Sequence, residues 1–245
     1  MKQKIALVTG ASSGIGAATA RALAKDGMAV ALAARRKEKL DELAAEITAV
    51  GGTALVLEAD LVQEAEAQRV VRETVARFGA LHVLVNNAGV MYNEPVASAS
   101  LERWRYMLEL NVLSLIASSQ AALATMAAQK DGHIVNISSV AGRFAFPGSA
   151  AYAATKFGVR AFSESLRKEV LKDNVRVTVI EPGAVETELV DHIAHEGARA
   201  GFEAMIAGMR VLKSEDIARI IAFCVAQPDY VDVNEILIRP TDQER

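Results

Sequence analysis

The sequence predicts a doubly wound α/β fold, a parallel sheet of about seven strands with helices on both faces, and two observations carry this reading. Short β-branched or aliphatic runs alternate with longer stretches of helical period almost to the end of the 245 residues. The runs are apolar throughout instead of at every second position, which is the pattern of strands buried on both faces. With 51% hydrophobic and 23% charged residues the chain has material for one full core. No repeat, low-complexity segment or Pro/Gly/Ser-rich linker marks a boundary, so residues 1–245 read as a single domain.

Taken in order, the strands fall at 5–8, 29–33, 54–58, 83–85, 133–137, 175–180 and 235–238, each a run of Val, Ile, Leu or Ala between polar breaks. Helical patterns fill the intervals at 15–25, 37–49, 64–77, 99–128, 150–172 and 215–226. The helices at 99–128 and 150–172 carry more apolar residues than one buried face needs, among them Leu108, Val112, Leu115, Ile116, Phe157, Val159, Phe162 and Leu166. Such helices can bury one face on the sheet and another on a second subunit. The stretch 186–209, with Gly197, Gly201 and Gly208, reads either as a mobile flap or as a solvated helical excursion.

Bulk properties exclude several classes. A formal net charge of -3 without long runs of like charge gives no footprint for nucleic acid. The lone Cys224 lies in an apolar run and cannot form an intrachain disulfide, so it reads as a small buried hydrophobe. The apolar run after the N-terminus is too short for a signal peptide, and no segment reaches the roughly 18 uninterrupted apolar residues of a membrane span. The expectation is a cytoplasmic protein with neither nucleic-acid nor membrane partners.

Two motifs bear on chemistry. The first strand runs into Thr9-Gly10-Ala11-Ser12-Ser13-Gly14-Ile15-Gly16, and a helix begins at once. Glycines there let the backbone turn tightly and approach a pyrophosphate, while the helix N-terminus offers unpaired N–H groups and partial positive charge. In doubly wound folds a residue about 20 positions on, at the end of the second strand, selects the dinucleotide: an acid for NAD, Arg for the 2′-phosphate of NADP. Arg35 and Arg36 stand there, after Ala33 and Ala34, which points to NADP(H).

The second motif is Tyr152-Ala153-Ala154-Thr155-Lys156. Four residues apart on a helix, the phenol and ammonium share one face. A free phenol titrates near 10, and bringing it to neutrality takes on the order of 4 kcal/mol of phenolate stabilisation. A fixed ammonium in a dry site is expected to supply much of that.

With these motifs in order along the chain, the sequence resembles the short-chain dehydrogenase/reductase family over essentially its full length, and therefore a Rossmann-type fold. The glycine turn Thr9 to Gly16 matches, as do Asn86-Asn87-Ala88-Gly89, Glu109-Leu110-Asn111-Val112, Asn136-Ile137-Ser138-Ser139 and Pro182-Gly183 with Thr187. The resemblance implies an NADP(H)-dependent oxidoreductase acting on a carbonyl or alcohol, with Asn111, Ser139, Tyr152 and Lys156 as catalytic residues. It implies a cofactor site of Gly10, Ser12, Ser13, Gly14, Ile15, Gly16, Arg35, Arg36, Asp60, Leu61, Asn87, Ala88, Gly89, Tyr152, Lys156, Pro182, Gly183, Val185 and Thr187. In that scheme Ser139 bonds the substrate oxygen and Tyr152 exchanges a proton with it. Lys156 lowers the phenol's pKa and bonds the nicotinamide ribose, and Asn111 orders a water in the proton path. Asp60 has an alternative reading as the cap of the next helix.

The family often forms homotetramers, which implies a homotetramer or homodimer here. No metal is expected, although His192 and His195 are three residues apart. Candidate substrate-pocket residues are Met91, Tyr92, Arg143, Phe144, Phe146, Val185, Glu188, Leu189 and His192, with Arg143 as a possible carboxylate anchor. The segment 181–189 and the tail 234–243 resemble the subgroup of clavulanate dehydrogenases and NADP-dependent 3-hydroxy acid dehydrogenases. The alternatives are an NAD-linked alcohol dehydrogenase and a non-catalytic NADP-sensing protein.

Overall fold

A computed structural model describes residues 3–244. Seven parallel strands form one sheet: β1 (Ile5–Thr9), β2 (Ala29–Ala34), β3 (Thr53–Glu58), β4 (Val83–Asn86), β5 (Gly132–Ile137), β6 (Val175–Pro182) and β7 (Glu235–Ile238). Their spatial order is β3-β2-β1-β4-β5-β6-β7. The order reverses between β1 and β4, which opens a crevice at the carboxyl ends of the strands.

The helices are α1 (Gly14–Lys25), α2 (Lys37–Ala49), α3 (Glu64–Phe78), α4 (Leu101–Leu108), α5 (Ser114–Gln129), α6 (Ala150–Glu169), α7 (Glu196–Ile206) and α8 (Ser214–Val225). Successive strand residues point to opposite faces, so the continuous apolar runs feed two cores. On one face Val8, Val30, Leu32, Val85 and Ile180 pack with Leu23 of α1, Leu40 and Ile47 of α2, and Ile217 and Ile221 of α8. On the other, Leu7, Leu84, Ile134 and Val177 pack with Val70 and Val71 of α3, Met107 of α4, Met126 of α5 and Leu166 of α6. Each such buried aliphatic side chain contributes about 1.5–3 kcal/mol of transfer free energy. Cys224 is fully buried.

One element differs from expectation, and a second takes one of its two readings. The pattern at 99–128 is not one α-helix: Glu109–Leu113 forms a π-helical turn between α4 and α5. The extra residue in that turn faces Asn111 inward, where it is 2% exposed. By length and composition the joined helices 101–129 could cross a membrane, but half of the apolar window is buried inside the protein, as in a core helix. The stretch 186–209 is ordered as a 3-10 segment, Glu188–His192, followed by α7. Its α-helix has no fully buried residue, and Ala198 and Phe202, four apart, pack half-buried against the core, as in a solvated helical excursion.

Candidate active site

A cleft of about 1060 Å³ opens over the carboxyl ends of the strands. Its walls include every residue expected to bind cofactor except Gly16, and every expected catalytic residue except Asn111. Those two stand behind the wall and shape it.

The phosphate turn is built by close backbone approach. Gly10 and Gly14 have φ of 65° and 53°, a region that disfavours side chains. A Cβ on Gly16 would lie 2.3 Å from the Gly10 carbonyl, so only glycine lets α1 start this close to the strand end. Thr9 Oγ1 accepts from the backbone N–H groups of Asn87 (3.0 Å) and Ala88 (3.1 Å), and Asn87 Nδ2 donates to the Thr9 carbonyl at 2.9 Å. Asn87 therefore fastens the β4 end to the glycine turn. Ser13 is the N-cap of α1, and its side chain is not used to cap the helix.

At the end of β2, Arg36 Nη2 donates to Ser13 Oγ (2.8 Å) and Ser12 Oγ (3.1 Å). Arg35 Nη1 donates to the Tyr106 hydroxyl at 2.9 Å, which lays it along the rim. The Arg36 guanidinium and two hydroxyls thus converge where a 2′-phosphate is expected, with Arg35 on the rim of the same cleft, and the glycine cradle fits a pyrophosphate. Asp60 is exposed in the cleft, and Gln63, not Asp60, is the N-cap residue of α3. Leu61 is buried under the same wall.

The Tyr152–Lys156 pair lies on α6, buried and facing the end of β5. Lys156 Nζ donates to the Ile137 carbonyl at 2.8 Å and stands 5.7 Å from the centre of the Tyr152 ring. The nearby Ser139 hydroxyl lowers the phenol's pKa, but burial dominates and pushes it up to about 12. Burial also pushes the Lys156 ammonium down to about 8. The expected lowering of the phenol by Lys156 is thus not found in this state: the amine loses its proton first, and the phenol then titrates beside a neutral neighbour.

Asn111 stands behind the cleft wall with its side chain engaged. Its Oδ1 accepts from Val90 N–H (2.9 Å), and its Nδ2 donates to the Val90 carbonyl (2.9 Å) and Thr155 Oγ1 (3.3 Å). The side chain is a clamp holding the loop after β4 against α6. Ser139 Oγ accepts from Ala141 N–H at 3.1 Å and donates to the Pro182 carbonyl at 3.5 Å, which restrains its rotamer.

The nicotinamide-side turn 182–185 is pinned by hydrogen bonds from distant segments. Gly183 N–H donates to the Ile238 carbonyl (2.7 Å), and Leu212 N–H donates to the Ala184 carbonyl (3.0 Å). Ala184 N–H donates to Gln243 Oε1 at 2.9 Å. Gln243 lines the cleft and was missed as a site residue, because no local pattern relates it to Ala184, 59 residues earlier.

Of the pocket candidates, Met91, Phe146, Val185, Glu188, Leu189 and His192 line the cleft, whereas Tyr92, Arg143 and Phe144 do not. Val140 and Phe202 add apolar wall that sequence reasoning did not identify. Arg143 is no carboxylate anchor: its Nε pairs with the fully buried Glu181 at 2.6 Å and its Nη2 with Glu235. Arg160 joins the same cluster, 2.9 Å from Glu235. His195 Nδ1 accepts from Ala198 N–H as the cap of α7, and among the described residues no three His, Cys, Asp or Glu side chains converge as metal ligands.

The short chain dehydrogenase family model matches residues 4–198. An uncharacterised oxidoreductase of Listeria monocytogenes is 37% identical over 245 residues, covering 99% of this chain and 98% of the relative. Dehydrogenase/reductase SDR family member 11 of Gallus gallus is 38% identical, covering 98% and 97%. Among solved structures, the alcohol dehydrogenase of Thermococcus sibiricus complexed with 5-hydroxy-NADP superposes with a TM-score of 0.89 at 29% identity, covering 99% of both chains. The closed form of serine dehydrogenase complexed with NADP+ gives 0.90 at 33% identity, covering 98% and 96%. The seven-stranded parallel sheet agrees with these matches, and the chain belongs to the short-chain dehydrogenase/reductase family of oxidoreductases.

Proposed function

We propose that the protein is an NADP(H)-dependent oxidoreductase interconverting a carbonyl compound and its alcohol, with Ser139, Tyr152 and Lys156 as catalytic residues. The observation that carries the reading is the grouping of Ser139, Tyr152 and Lys156 at one end of a cleft whose other end gathers Arg35, Arg36, Ser12 and Ser13. A bound NADPH would supply hydride, held by the glycine turn, the arginines, Asp60, Asn87 and the 182–187 turn. Ser139 donates to the substrate oxygen as charge develops there, and Tyr152 gives that oxygen its hydroxyl proton. Lys156, cationic at neutral pH with its pKa near 8, favours the resulting phenolate. In the alcohol-oxidising direction the same hydroxyl oxygen receives the proton.

The substrate end is walled by Met91, Val140, Phe146, Leu189 and Phe202. Among the described residues, the Lys and Arg side chains lining the cleft are Arg35, Arg36 and Lys156, all assigned above. This supports an uncharged aldehyde or ketone ahead of a 3-oxo acid. The tail resemblance to clavulanate and 3-hydroxy acid dehydrogenases keeps the acids in the test. Exposed Leu108, Leu113 and Phe157 support assembly as a homotetramer or homodimer. A panel of aldehydes, ketones and oxo acids, each followed by NADPH and NADH consumption, tests the reading. Turnover with NADPH on neutral carbonyls is expected, and clear preference for NADH would overturn the cofactor assignment.

A further inference from the structure

The anion site at the end of β2 already holds a carboxylate. The Arg36 Nη2 that meets Ser12 and Ser13 also pairs with Glu188 Oε2 at 2.8 Å. Arg36, and after it the nearby Ser13 hydroxyl, hold Glu188 below the usual carboxylate range. Guanidinium plus hydroxyl is the donor set that a phosphate monoester takes. Glu188 opens the 3-10 segment that leads to α7, 152 residues along the chain from Arg36. Its position is set by neighbouring packing: Thr187 Cγ2 stands 3.3 Å from where a Cβ on Gly14 would lie, and Thr187 Oγ1 accepts from Leu189 N–H. The carboxylate therefore reaches the phosphate turn from a fixed base.

We propose that Glu188 is an internal competitor for the 2′-phosphate, so that NADP(H) has to displace it from Arg36 whereas NAD(H) leaves the Glu188–Arg36 pair intact. The proposal rests on the NADP reading above and refines it by naming a residue that sets the margin between the two dinucleotides. Glu188 belongs to the cofactor-selecting end of the cleft and not to the substrate pocket. Displacement also frees the start of the 188–206 segment, while the Glu186 N–H bond to the Leu212 carbonyl at 2.8 Å keeps that segment anchored at its base.

Both partners are about half exposed, so the pair is worth little and the effect is of a few-fold size. The test is dissociation constants for NADP+ and NAD+ from titration of intrinsic fluorescence, with wild type, Glu188→Gln and Glu188→Ala. About three- to five-fold tighter NADP+ binding in both variants is expected, the range that an exposed ion pair carries, with NAD+ nearly unchanged. Placing Arg36→Gln in each background should abolish the gain. Unchanged or weaker NADP+ binding in both variants would overturn the proposal. Tighter NAD+ than NADP+ binding by wild type would instead overturn the NADP reading, and a selective gain for NADP+ in the variants would still support Glu188 as competitor.

Discussion

Replacing Lys156 by methionine should change how folding stability depends on pH. In the native state the ammonium is 6% exposed, and burial moves its pKa from 10.5 to about 8. Between those values the unfolded chain binds the proton that the native state has released, so stability rises with pH there and is lost as pH falls through about 8. The gradient approaches about 1.4 kcal/mol per pH unit, giving on the order of 3 kcal/mol across the interval. Tyr152 acts in the opposite sense. Its pKa is raised from 10.0 to about 12, so stability falls as pH climbs above about 10. Lys156→Met leaves the Ile137 carbonyl without this donor, a pH-independent cost of about 1–3 kcal/mol, and removes only the rising limb. Urea unfolding without nucleotide, followed by Trp104 fluorescence at several values across this interval, separates the two effects. Wild type should gain stability relative to the variant by on the order of 3 kcal/mol on going from neutral to alkaline buffer. Parallel stability curves would refute the argument that desolvation governs Lys156.

Two further substitutions probe the walls. A Cβ on Gly183 would meet Gln243 Oε1 at 2.2 Å, so Gly183→Ala should cost about 1–3 kcal/mol and weaken nucleotide binding. Adding Gln243→Ala should return part of that loss, and strictly additive denaturation energies would contradict the contact. Arg143→Ala strips the buried Glu181 of its shorter ion pair, with Arg160 still 3.7 Å away, and should lower stability by about 2–4 kcal/mol in chemical denaturation. Michaelis constants for acidic and neutral substrates should move alike in that variant. A selective rise for acids would restore Arg143 as a substrate anchor.

The sheet was legible because strands buried on both faces carry continuous apolar runs, and the phosphate turn because backbone approach leaves room only for glycine at positions such as Gly16. That Ser139 stands with Tyr152 came from the family resemblance, since a strand-end serine alone carries no such signal. Partnerships across the chain were not. Asn111 reads as a polar residue in a helix, but the loop it clamps at Val90 lies 21 residues away, and the π turn that aims it inward has no apolar signature of its own. Arg143 beside an aromatic loop suggests a ligand contact, whereas its partners Glu181 and Glu235 are 38 and 92 residues distant. The phenol's pKa depends on the balance between desolvation and a neighbouring charge, and spacing alone conveys only the second.

The proton-donor role of Tyr152 is tested most directly by single-turnover reduction of an accepted aldehyde or ketone with NADPH, comparing wild type with Tyr152→Phe. Phenylalanine keeps the buried ring and removes only the hydroxyl that Ser139 contacts. The rate should fall by about 10²–10⁴-fold, the range contributed by a positioned acid, with NADPH affinity nearly unchanged. Equal rates in the two proteins would contradict the account.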